Sequence, residues 1–146
     1  MLRSQVAESA LSYIGTPWVH QGRTKGVGVD CIGLLVGVAS EVGLNFEDQT
    51  DYSPVPHDAK SHLIEGLQHN NCSRTQECLP GNILLFCLMK AKMPSHCAIL
   101  VGNGRMIHAM NYRSKSGKLH QVRAHVYANP WVSRTHSIWA YPGIED

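Results

Sequence analysis

The sequence predicts an α+β fold in which N-terminal helices, one of them buried, pack on a mainly antiparallel β-sheet supplied by the second half of the chain. Three observations carry this. Val6, Ala10, Tyr13 and Ile14 recur at helical spacing. Cys31 to Val42 is apolar nearly all round, through Ile32, Leu34, Leu35, Val36, Val38, Ala39 and Val42, which marks a central buried helix. From Pro80 the period changes to short runs rich in β-formers, separated by turn residues, and helices followed by consecutive strands imply α+β.

The elements follow in order. Gly15 and Pro17 stop the first helix, and "TPWVHQGRTKGVGVD" is a loop rich in glycine and polar residues. The second helix runs from about Cys31 to Val42 with Gly43 as its C-cap; Gly33 and Gly37, one turn apart, let another backbone pack closely. "NFEDQTDYSPVPHD" connects to a short third helix marked by Leu63, Ile64 and Leu67. The strand runs are "NILLFCL", "HCAILV", "RMIHAM", "KLHQVRAHVY" and "SIWAYP".

At 146 residues, 43% apolar and 16% charged, the chain is expected to form one domain over residues 1–146 with a substantial core. No apolar run approaches the roughly 20 residues of a membrane span. The stretch "MLRSQVAESALSYIG" carries Glu8 and no long apolar run, so it does not read as a signal peptide, and a role outside the cytoplasm needs another delivery route. Net charge is +2 but uneven: Leu79 to Gly143 holds eight Lys or Arg and no acid, whereas Met1 to Cys78 holds nine acids against five bases. That asymmetry suits either a solvated basic face or an anionic partner. Dispersed basic residues and the lack of a recognisable binding motif argue against nucleic acid.

The five cysteines are Cys31, Cys72, Cys78, Cys87 and Cys97. An odd count without a C-x-x-C pair argues against a disulfide framework and a standard zinc site, and no metal or other cofactor is expected. Cys87 and Cys97 lie in apolar strand-like runs and read as inert core residues; pairing of Cys72 with Cys78 in a polar loop stays open. Cys31 differs. In "VDCIGLL" it stands at the N-terminal edge of the buried helix, where unpaired N–H groups and the helix dipole favour thiolate. Asp30 before it either caps the helix or contacts a substrate amine, and capping is the stronger reading.

A nucleophilic thiol needs a histidine base, and the base needs an orienting partner. His57, His62 and His69 stand in polar context and read as exposed. His120 and His125 differ in parity along a strand, point to opposite faces and form no obvious metal pair. That leaves His96 and His108, on successive strands joined by "VGNGR". A loop of two or four residues would put them on opposite faces. A loop of three, Gly102 to Gly104, pairs Val101 with Arg105, sets Ala98 opposite His108 and makes the two histidines diagonal neighbours, roughly 7–8 Å apart at the backbone. Gly104 suits the left-handed position that closes such hairpins. The sequence permits this register and does not force it.

"GTPWVHQGRTKGVGVDCIGL", "PGNILLF" and "SHCAILVGNGRMIHA", in that order, resemble the NlpC family of papain-like cell-wall cysteine peptidases, and most closely its short members encoded with phage tail genes. The likeness spans roughly Val6 to Pro142. It implies a papain-like fold with Cys31 as nucleophile, His96 as base and His108 as the third polar residue. Two departures stand out: Ile32 replaces the usual serine, and Trp18 stands where many members have a tyrosine whose hydroxyl lies near the nucleophile. Trp18 offers an indole N–H and no hydroxyl; His20 is a polar group nearby, so Trp18, His20 and Asp30 are the candidates for substrate or oxyanion contact.

The resemblance implies hydrolysis of peptidoglycan stem peptides next to γ-D-glutamyl and diaminopimelate residues, whose carboxylates suit the acid-free second half. It further implies delivery in a phage tail tip, among tail-tip proteins, with the protein made in the host cytoplasm and acting at the host cell wall. The main rival is a structural tail-tip protein that keeps the fold and hydrolyses little; a Cys/His metal-binding module is a distant third.

Overall fold

The computed structural model describes residues 1–52, 61–88, 90–111 and 120–146; His57 and the first two residues of the "KLHQVRAHVY" run lie outside them. Helix α1 (Arg3–Ser12) buries Val6 and Ala10, and Tyr13 is buried just beyond its end. Ile14, expected on the same stripe, is 49% exposed. The helix has already stopped there: Gly15 takes φ +91°, and its N–H donates to the Val122 carbonyl at 2.9 Å.

The glycine-rich loop contains a small hairpin, β1 (Arg23–Thr24) and β2 (Gly28–Val29), too short to leave a periodic signal. It leads directly into α2 (Cys31–Glu41), whose Leu34, Leu35, Val38 and Ala39 are buried. Gly43 follows the helix at φ +86°, as a left-handed C-terminal glycine should. A Cβ on Gly33 would collide with the backbone carbonyl oxygen of Gly22, and one on Gly37 with the Tyr13 hydroxyl. The expected backbone approach therefore holds at Gly33, while Gly37 makes room for a ring. The short helix α3 (His62–His69) is capped by Ser61, whose Oγ accepts from the Ile64 N–H at 3.3 Å.

The strands are β3 (Ser73–Thr75), β4 (Ile83–Phe86), β5 (His96–Val101), β6 (Arg105–Ala109), β7 (Val122–Val126) and β8 (Thr135–Ala140), with a one-turn helix α4 (Trp131–Arg134) before β8. Among the described residues they form one antiparallel sheet in the order β3-β8-β4-β5-β6-β7. The fold is α+β. Side chains alternate between two apolar layers. Ile83, Leu85, Cys97, Ile99 and Ile107 meet α1 and α2 in the main core. Leu84, Phe86, Ala98, Leu100 and Met106 form a second cluster with Tyr127 and Trp131. Sheet residues covered on both faces explain why β4 reads as an unbroken apolar run, and each such Leu or Ile contributes about 1.5–3 kcal/mol.

The cysteines depart from expectation in two places. Cys87 lies just past the end of β4 and is half-buried rather than in the core. Cys72 is buried and Cys78 exposed, and both are free thiols. No described helix is long and apolar enough to cross a membrane.

Candidate active site

The β5–β6 hairpin settles the register. Val101 pairs with Arg105, Leu100 with Met106 and Ile99 with Ile107, so the loop is Gly102 to Gly104 and the next step sets Ala98 opposite His108. Asn103 at φ +64° and Gly104 at +67° make the turn. His96 and His108 consequently share a sheet face, and His96 Nε2 lies 2.8 Å from His108 Nδ1.

That face is not the one the helices cover. By alternation His96 and His108 stand with Ala98 and Met106, and Phe86 and Trp131 pack on the His96 ring with centroids 5.9 and 6.0 Å away. Cys97 is the β5 residue directed at α2, and its thiol donates to the Cys31 carbonyl oxygen at 3.3 Å. Cys31 opens α2 and His96 opens β5, and His96 acts on the Cys31 thiol through a hydrogen bond and its charge. The Cys97 thiol is the largest influence pulling the Cys31 thiol down to about 5; burial opposes it, and the hydrogen bond and charge of His96 add to the lowering. Cys97 itself is pushed well above the usual thiol range, by burial first and by Cys31 second. It stays protonated and can donate. Cys97 is thus more than the inert core residue its apolar run suggests. Because Cys31 opens the helix, its own N–H has no intrahelical acceptor and is free for a developing oxyanion.

Asp30 caps α2: its Oδ1 accepts from the Gly33 N–H at 2.8 Å. The same carboxylate accepts from Arg23 Nη1 at 3.1 Å, from the Gln21 N–H at 2.9 Å and from the Tyr52 hydroxyl. Four donors use up the roughly four lone-pair positions of a carboxylate, so Asp30 has none left for a substrate amine, and the cap reading holds over the substrate reading. Arg23 Nη2 in turn donates to Tyr52 Oη at 2.9 Å. Burial and the Asp30 hydrogen bond keep the Tyr52 phenol protonated far above its usual range.

Trp18 and His20 are half-buried, His20 beside Tyr52 of this network and Trp18 against the main core. Their rings stack with centroids 6.5 Å apart, and His20 meets Tyr52 edge-on at 5.6 Å. The Trp18 backbone N–H donates to the His120 carbonyl at 2.7 Å. His62, expected in solvent, is half-buried with its ring 5.9 Å from that of Tyr52; His69 is exposed and pairs with Glu47.

Sequence reasoning passed over three participants. Tyr52 sits in a loop and Arg23 in the two-residue strand β1, neither with a period to mark it. His125 had a usable signal. His108 faces Arg123 across β6–β7, so His125, two residues on, shares its face, and His125 Nδ1 lies 2.6 Å from His108 Nε2. His120 precedes β7 instead of lying on it, and its Nδ1 contacts Asn111 Oδ1 at 3.0 Å. His108 is fully buried and held neutral, its pKa pushed down to about 2 by burial and then by the neighbouring His96 and His125 charges. The imidazoles share protons in a row rather than aiming at one point, and no group of three or more His, Cys, Asp or Glu could hold a metal ion among the described residues.

A model of the NlpC/P60 family matches residues 15–139, which include Cys31, His96, His108 and His125. The chain belongs to the NlpC/P60 family. Its curated relatives include a "Probable endopeptidase" of Mycobacterium tuberculosis, 30% identical over 110 residues that make up 75% of this chain and 24% of that protein. A Mycobacterium bovis protein of the same description matches equally. The chain thus spans about a quarter of the length of these relatives. Among solved family structures, one from Bacillus cereus superposes with TM-score 0.66 at 17% identity, over 95% of this chain and 40% of that one. The peptidoglycan hydrolase RipB of M. tuberculosis superposes with TM-score 0.57 at 18% identity, over 94% of this chain and 63% of that one. At such identities the superpositions establish the α+β family fold.

Proposed function

We propose that this NlpC/P60 domain is a cysteine peptidase that hydrolyses peptidoglycan stem peptides, with Cys31 as nucleophile, His96 as acid and base, and His108 orienting His96. The observation that carries the reading is the His96–His108 pair, Nε2 to Nδ1 at 2.8 Å, beside a helix-edge thiol that Cys97 and His96 lower to about 5. The Cys31 sulfur attacks the scissile carbonyl carbon, and the oxyanion that forms meets the free N–H at the start of α2. His96, holding the thiol proton, delivers it to the leaving amine. Water activated by the same ring then splits the thioester and returns the thiol. The endopeptidase name of the curated relatives and the peptidoglycan hydrolase among the structural neighbours support this substrate class. The finer readings, a γ-D-glutamyl-diaminopimelate bond and delivery by a phage tail tip, rest on the motif resemblance and on the basic, acid-free stretch from Leu79 to Gly143.

The test is mass spectrometry of fragments released from purified peptidoglycan by wild type, Cys31→Ala and His96→Ala. Wild type should release stem-peptide fragments with a new amino terminus at diaminopimelate, and the variants at least about a hundredfold less. Equal, negligible release by all three, free and in assembled tails, would replace the enzyme by a structural protein of the same fold.

A further inference from the structure

The peptidase reading uses His96 and His108 and leaves His125 without a role, although its Nδ1 lies 2.6 Å from His108 Nε2. A neutral imidazole has one N–H and one lone pair. Both nitrogens of His108 are engaged, Nδ1 by His96 and Nε2 by His125, so its neighbours decide where its proton sits. His96 must become an imidazolium after taking the Cys31 proton, and its Nε2–H then needs an acceptor. Only the tautomer of His108 protonated at Nε2 offers one at Nδ1. That tautomer in turn needs an acceptor for its Nε2–H, and the atom in place is His125 Nδ1.

We infer that His125 is a positioning residue: its unprotonated Nδ1 holds buried His108 in the Nε2–H tautomer, so that His108 always presents a lone pair to His96. The inference deepens the peptidase reading and rests on it for its purpose. Its physical content is independent, a fixed order of protons along three rings. Among the described residues, the charged or titratable groups beside His125 are His108 from β6 and Arg123 on its own strand, the latter directly opposite His108. Burial first and Arg123 second lower the His125 pKa, which favours its neutral ring; with the proton on Nε2, its Nδ1 lone pair faces His108 Nε2. Trp131 stands edge-on to the His108 ring, with centroids 5.1 Å apart, and fills the space beside the row with apolar surface. Protonating His125 would reverse the row: its Nδ1–H would donate to His108 Nε2 and drive the His108 proton to Nδ1, against His96.

The experiment is imidazole nitrogen NMR on the full chain, read together with the pH profile of Cys31 alkylation, for wild type, His125→Leu and His125→Asn. In wild type at pH 7, His108 should show the Nε2–H tautomer. His125→Leu removes the acceptor and should populate the other tautomer and shift the acidic limb of the alkylation profile upward by at least half a pH unit. His125→Asn, whose amide oxygen can replace Nδ1, should restore both. An Nδ1–H tautomer in wild type, or a leucine variant unchanged in both readouts, overturns the inference, and the wild-type spectrum decides alone if the leucine variant does not fold. Both readouts need no substrate. A protein that shows the tautomer dependence but cuts no stem peptide would overturn the peptidase reading and leave the proton order standing.

Discussion

The Cys97 thiol donates to the Cys31 carbonyl oxygen at 3.3 Å, and the same thiol is the largest influence lowering the Cys31 pKa. One S–H serves one acceptor at a time, so its effect on the nucleophile depends on its turning from carbonyl to sulfur when Cys31 ionises. A hydrogen bond to a charged group contributes about 1.5–3 kcal/mol, or about one to two pKa units. Cys97→Ala should therefore raise the Cys31 pKa by that amount, and Cys97→Ser, which keeps a donor, should raise it less. Thiolate absorbance against pH, taken as the difference from the same protein with Cys31→Ala, checks this. An unchanged pKa in Cys97→Ala would assign the lowering to His96 and the helix start alone.

Asp30 holds together the start of α2, Gln21, Arg23 of β1 and Tyr52. Asp30→Ala loses the cap, worth about 0.5–2 kcal/mol, and leaves buried donors without partners at about 1–3 kcal/mol. The sum should be about 3 kcal/mol in urea unfolding at pH 7, with Tyr52→Phe costing about 1 kcal/mol. A cost for Asp30→Ala below that of Tyr52→Phe would contradict the shared network.

Gly37 faces the Tyr13 hydroxyl, and Gly33 faces the Gly22 backbone. Overpacking costs about 1–3 kcal/mol, but the two sites differ in what can yield. Tyr13→Phe should recover part of the loss in Gly37→Ala, because the nearest colliding atom is removed while the ring remains. No side-chain change at Tyr13 should help Gly33→Ala, which requires movement of the loop before Cys31. Thermal unfolding of the single and double variants tests this, and additive losses for Gly37→Ala with Tyr13→Phe would contradict it.

The buried His108 gives a pH signature. Its pKa is pushed down to about 2 in the fold and is about 6.5 in an unfolded chain. Between those values the unfolded state binds the extra proton, so stability rises with pH across the window and falls on acidification. From pH 7 to pH 5 one such group costs about 2 kcal/mol. Urea unfolding at the two pH values should show this loss, and His108→Asn should lessen it; an identical pH dependence in the variant would mean that His108 is not held neutral.

The helices, the strands after Pro80 and the helix-edge thiol were legible because each rests on a local signal: a period, a turn residue or a break in composition. The β5–β6 register was legible as one of several options, since "VGNGR" fits loops of different length and only the strands' pairing chooses. Which face the histidines occupy was not legible. Parity places His96 and His108 together, but which side α2 covers is decided by Cys97, Ile99 and the rest of the main core. Tyr52 and Arg23 reach Asp30 through loop geometry that leaves no mark in spacing. His125 was missed because its parity was compared with His120, which is not on the strand, instead of with Arg123, which is.

The central claim is that His96 and the surroundings of α2 activate Cys31. Iodoacetamide alkylation of all five cysteines, resolved by peptide mass spectrometry from pH 4 to pH 9 in wild type and His96→Ala, tests it most directly. The account predicts that Cys31 reacts ahead of Cys72, Cys87 and Cys97 with a midpoint of about 5, and that His96→Ala moves this midpoint upward. A wild-type Cys31 that titrates in the ordinary thiol range of about 8.5 would contradict it.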